Sequence, residues 1–169
     1  MTTARARPAM RLGRRTRKAV LLAHLVAAGA WIGLDVVLAV LVFTAFTSAD
    51  AATVAVSYQA LGLVAVWPMI IAALATLLTG VALGLGTPFG LLRYWWVAVK
   101  FGLTVVLAVL VTVALRPGVL VAAEEGRRIA AGADVVPIGD LAFPPIVSST
   151  ALLVAFALSV FKPWGRIRR

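Results

Sequence analysis

The chain has 169 residues, 63% of them hydrophobic, no cysteine and a formal net charge of +10, with a mean hydropathy of +1.06. A soluble domain is about half apolar, and one of this length could not hide so much apolar surface from water, whereas a bilayer can. The absence of cysteine excludes disulfides, thiolate metal sites, iron–sulfur clusters and a cysteine nucleophile.

Residues 1–18 form a basic tail carrying Arg5, Arg7, Arg11, Arg14, Arg15, Arg17 and Lys18. A second basic tail, 162–169, carries Lys162, Arg166, Arg168 and Arg169. Cations that flank apolar runs follow the positive-inside rule and can hold anionic lipid headgroups. Their position therefore argues for the lipid bilayer as partner and against nucleic acid.

Four runs between the tails are long enough to cross about 30 Å of hydrocarbon, which takes about 20 residues. They cover about 19–46, 60–85, 94–115 and 141–161. The first begins like a signal peptide, with Ala28-Gly29-Ala30 resembling a cleavage site. The apolar run continues through Trp31 to Phe46, so it reads as a retained helix. The first loop, about 47–59, has no cation and one acid, Asp50. The second, with Gly86, Pro88 and Gly90, is short and turn-forming. In the third, about 116–140, Val119 to Ala131 reads as a short outer helix with a Glu124–Arg128 pair, ended by Gly132, Pro137 and Gly139. Both ends are then cytoplasmic. The expected fold is all-α: a polytopic, antiparallel four-helix transmembrane bundle in a bacterial cytoplasmic membrane. The bacterial origin rests on the GC-rich style of the composition.

Strongly polar residues inside the spans are His24, Asp35 and Lys100. A charge at mid-membrane costs about 3 kcal/mol on insertion scales and invites a functional reading. At about 100° per residue, His24, Trp31 and Asp35 share one stripe of the first span, with His24 and Asp35 about 16 Å apart along its axis. His24 and Lys100 lie at matching depth, so their polar ends could meet through water or a ligand if their spans pack. His24 is the candidate metal ligand, since a neutral imidazole binds metals. For Asp35 the candidate partners are Arg116 and the hydroxyls of Ser148, Ser149 and Thr150. Trp31 and Trp67 read as packing residues, and Pro68 as a kink. Tyr94, Trp95 and Trp96 read as an interfacial aromatic belt. Gly29 with Gly33, and Gly80 with Gly84, have the GxxxG spacing of close helix approach. Gly29 and Gly33 face away from His24, toward another helix or a second subunit of a homo-oligomer.

Two segments carry a family likeness. Leu22 to Gly33, LAHLVAAGAWIG, resembles the first span of the copper-resistance D type membrane domain and of small four-span bacterial proteins of unknown function. Arg93 to Leu103, RYWWVAVKFGL, resembles the third span of those small proteins, with its aromatic cluster ahead of an intramembrane Lys. A similar His and Lys pair is found in the HemJ type of protoporphyrinogen oxidase, which implies His24 and Lys100 at an active site and a haem b cofactor. The departures are specific. A copper path needs Met, His or Cys ligands, and outside the tail only His24 and Met69 are present. One histidine cannot supply two axial ligands. No soluble-enzyme motif is found. Three readings follow: a membrane protein of an uncharacterised family with no demonstrable enzyme activity, a haem redox enzyme using His24 and Lys100, and a metal or small-solute transporter using Asp35 and His24.

Overall fold

The computed structural model describes residues 12–86, 91, 93–161, 165 and 167, and these are helical apart from short connections. Most of both basic tails, Trp164, Pro88 and Gly90 lie outside the described residues. Four stretches among those described are long and apolar enough to cross a membrane, which supports a multi-pass membrane protein. The first is an unbroken helix, α1 (Arg14–Thr47). The second is α2 (Ala51–Val64) followed by α3 (Trp67–Gly86). The third is α4 (Trp95–Leu110), a π turn (Val111–Leu115) and α5 (Arg116–Ala130). The fourth is a 3-10 turn (Gly139–Ala142) leading into α6 (Phe143–Phe161). Large apolar side chains such as Leu63, Leu78, Val113 and Phe161 point outward, as expected of a surface that meets lipid rather than water.

Backbone contacts fix which ends meet. The Leu12 N–H donates to Gly86 O at 3.4 Å, Trp95 N–H to Gly165 O at 3.4 Å, and Ile167 N–H to Arg93 O at 3.0 Å. The start of α1, the end of α3, the start of α4 and the chain after α6 therefore share one end of the bundle, the termini end. Asp50 and residues 138–140 lie at the far end, where the Tyr58 hydroxyl accepts from Ile138 N–H at 3.2 Å.

Local chemistry moves several expected boundaries. Asp50 accepts from the Thr53 hydroxyl at 2.7 Å and from the Thr53 and Ala52 N–H groups at 2.9 and 3.4 Å. This N-cap satisfies donors that have no partner within the helix, so helix begins at Ala51 and the expected 47–59 loop shrinks to residues 48–50. Pro68 has no N–H to give Val64 and its ring crowds that carbonyl. Accordingly α2 stops at Val64, and the expected kink is a two-residue break at Ala65 and Val66.

Pro117 poses the same problem for Val113, with a different outcome. The helix widens, and Arg116 N–H reaches five residues back to Val111 O. Residues 116–118 are thus helix rather than loop, and α5 continues the third stretch instead of standing apart. It ends near Gly132, whose φ of 98° suits a residue without a side chain. Its ion pairs are Glu124–Arg127 and Glu125–Arg128, three residues apart, not the expected Glu124–Arg128. The first pair is largely exposed and adds little stability, while in the second Glu125 is mostly covered and Arg128 exposed. Helices α2 and α5 touch backbone to backbone: a Cβ on Gly126 would stand 2.7 Å from Ala55 O.

The inward face of α1 presents Ala28, Trp31, Asp35, Leu38, Val42 and Ala45. Steps of three and four residues keep such a stripe on one side of a helix. Trp31 is fully buried in the core.

Candidate functional site: two cavities of opposite charge

His24 and Lys100 line one cavity of the bundle and Asp35 lines another. The termini-side cavity measures about 360 Å³ and is walled by α1, α3, α4 and α6. His24 reaches it from α1. Its Nδ1 lies 3.1 Å from Thr76 O and 3.0 Å from Thr79 Oγ1. Thr76 O can only accept, and the Thr79 hydroxyl donates to Ala75 O at 2.6 Å. Nδ1 must therefore carry the hydrogen and donate, which in a neutral ring leaves the lone pair on Nε2. Nε2 has no hydrogen-bond partner among the described residues. Gly80 makes room for the ring: a Cβ there would lie 3.3 Å from His24 Cε1.

Lys100 enters the same cavity from α4. Its Nζ donates to Ser159 Oγ at 3.1 Å and stands 5.6 Å from the centre of the Trp96 ring, within cation–π range. Among the described residues Arg17 is the third basic member of the lining, and no Asp or Glu joins it. The matching depths of His24 and Lys100 thus correspond to a shared cavity.

The far cavity measures about 370 Å³. Its walls are apolar side chains of α1, α3, α4, the π turn and α6, and its charged residues are Asp35 and Asp140. Asp35 is fully buried. Of its candidate partners, Ser148 is the one used: its hydroxyl donates to Oδ2 at 2.7 Å. Arg116 is exposed and forms no pair with Asp35. The second oxygen, Oδ1, is buried without a partner, as are Trp31 Nε1 and Thr76 Oγ1. Trp31 sits on the turn of α1 between the two cavities and lines neither. Asp35 and His24 therefore do not share a site.

Of the remaining expected residues, Trp67, Pro68, Gly29, Gly33 and Trp95 line neither cavity, whereas Gly80, Gly84 and Trp96 line the termini-side one. Trp67 is 66% exposed and Pro68 is also exposed, so Trp67 is not the core packing residue expected. Gly29 and Gly33 face outward, with nothing of the chain within 4 Å of where a side chain would begin. The GxxxG pair that is used internally is Gly80 and Gly84, the first against His24 and the second against Leu91. Trp96 is buried beneath Lys100 while Trp95 is 53% exposed, so the aromatic belt is split between cavity and lipid. The spacing of Trp96 and Lys100, four residues on one helix face, is a signal that sequence reading could have used. Thr76, Thr79 and Ser159 carry no such signal, since isolated hydroxyls recur throughout apolar helices. Among the described residues no three His, Asp or Glu side chains gather as a metal site would require.

The fold and site define a helical membrane protein with two separately charged cavities, each partly open at the bundle surface. The chain matches no protein-family model, no curated protein and no solved structure.

Proposed function

We propose that this chain lies in the bacterial cytoplasmic membrane, with both ends in the cytoplasm and its four spans antiparallel. There it binds an apolar molecule bearing an anionic group in the termini-side cavity. The topology rests on the cations of residues 1–18 and 162–169 set against a 48–50 connection that has none. The binding role rests on one observation: a cavity with apolar walls whose charged lining among the described residues is Arg17 and Lys100, with His24 beside them and no carboxylate. Apolar walls take the body of a ligand and a few placed polar groups orient it. Basic groups without counter-charge favour an acid.

Haem is the ligand of this class that would also use His24. A metal-binding histidine usually donates its other ring N–H to a carbonyl, which fixes tautomer and orientation, and His24 Nδ1 does this with Thr76. His24 would hold the iron, and Arg17 and Lys100 the propionates. Haem would supply one-electron redox chemistry. The likeness to the HemJ type of oxidase agrees with this assignment of His24 and Lys100.

Titration of the full-length protein in mild detergent with hemin and, separately, with metal-free protoporphyrin tests the reading. Hemin should give a saturable Soret shift that His24→Ala removes. Both ligands should bind at least about tenfold more weakly to an Arg17→Gln, Lys100→Met double variant. Binding of protoporphyrin but no His24-dependent shift with hemin would keep the anionic ligand and remove haem. Binding of neither, or binding indifferent to both cations, would overturn the proposal.

A further inference from the structure

The far cavity holds the opposite chemistry, and its polar group is unfinished. Asp35 is wholly shielded, Ser148 engages Oδ2, and Oδ1 is left without a partner. A buried polar atom normally finds a hydrogen-bond partner, and a carboxylate within a membrane span is uncommon unless paired or functional. Asp140 is exposed at the far end and lines the same space. Among the described residues no Lys, Arg or His does.

We infer that this cavity is a second binding site, for an organic monocation with an apolar body, whose charged group pairs with Asp35. Three features narrow the occupant. The volume of about 370 Å³ is suited to a molecule rather than a bare ion. The walls offer Leu38, Met69, Leu110, Val111, Phe143 and Val147, and beyond Asp35, Asp140 and Ser148 no side-chain oxygen among the described residues toward the set that a hard divalent cation requires. Met adapts to irregular shapes, and aromatic faces attract cations. One wall is the π turn, a wide helical turn of the kind often found at functional sites. The site stands apart from the termini-side cavity, and each can fail without the other.

The probe is benzyltrimethylammonium, with neopentylbenzene as its uncharged counterpart of equal shape, titrated calorimetrically into the full-length protein in detergent. The cation should bind and the hydrocarbon should bind at least about tenfold more weakly. Asp35→Asn, which keeps shape and an acceptor for Ser148, should weaken the cation about thirtyfold or more, as loss of one partner of a desolvated charge pair does. Asp140→Asn, at the rim, should weaken it about threefold or less. Ala114→Phe adds bulk to the π-turn wall and leaves Asp35 in place, so it tests occupancy if Asp35→Asn fails to fold; it should abolish binding. No binding of the cation, equal binding of the two probes, or an Asp35→Asn protein that binds like wild type would each overturn the inference. Those results would mean that Asp35 serves only the Ser148 hydrogen bond.

Discussion

The two cavities have nearly equal volumes, about 360 and 370 Å³, yet they solve the problem of a charged group in a membrane in different ways. Lys100 and His24 are long or broad side chains near the termini end, and each contacts hydroxyls on another helix. Asp35 is short, deeper and fully buried, with one hydroxyl for two oxygens. A long side chain can bend toward an interface or exchange partners; a short one must be met where it stands. Position and side-chain length, rather than cavity size, decide which charge is tolerated and which is left waiting for a partner.

The largest effect expected on this contrast is from Gly80→Val. The new side chain meets His24 Cε1, already 3.3 Å from a first carbon, and overpacking should cost up to about 3 kcal/mol. Thermal unfolding followed by tryptophan fluorescence would read it, and probe binding at the termini-side cavity should fall while binding at the far cavity is unchanged. Loss at both would mean that the cavities are one coupled unit.

Matching serine replacements sharpen the comparison further. Ser148→Ala strips Asp35 of its partner and should cost about 2 kcal/mol, the penalty of an unsatisfied buried group. Ser159→Ala leaves Lys100 its Trp96 ring and its mobility, and should cost less than about 0.5 kcal/mol. Equal shifts in unfolding temperature would contradict the distinction between the two sites.

The smallest effect lies outside both cavities and gives a baseline. The Thr53 hydroxyl, with the Thr53 and Ala52 N–H groups, holds the Asp50 carboxyl below the usual aspartate range despite slight desolvation. A group depressed in the folded state stabilises it at pH values above the ordinary aspartate pKa, and that contribution fades as pH falls through the lowered value. Amide exchange at Ala52 and Thr53 should accelerate as pH drops below about 4, after correction for intrinsic rates. Asp50→Asn should remove this pH dependence while retaining a cap.

Much of this was legible in the sequence, for physical reasons. Hydrophobic length finds spans, and the 100° step put His24, Trp31 and Asp35 on a face that proves to point inward. Pro68 was a breaker on stereochemistry alone. Less accessible was anything that depends on a neighbour. Pro117 looks like a helix end until the π turn absorbs it, and Trp67 looks like a core aromatic until α3 turns it to lipid. The partition of His24 and Asp35 into separate cavities depends on where α3, α4 and α6 cross α1, which no single-span pattern contains. Asp50 with Thr53 was a readable cap that span-length reasoning passed over, because apolar length says nothing about where helix begins beyond the hydrocarbon.

The π turn also sets the phase of everything beyond it. The buried positions Val111, Leu115 and Val119 advance by fours, a step that drifts around a regular helix but keeps to one side where the turn is wider. Removing one residue there would restore ordinary winding and rotate α5 by about 100°. Gly126 would then swing away from Ala55, and a bulkier neighbour would be driven against α2. A single extra residue thus lets one helix keep two appointments, with the cavity wall below and with α2 above.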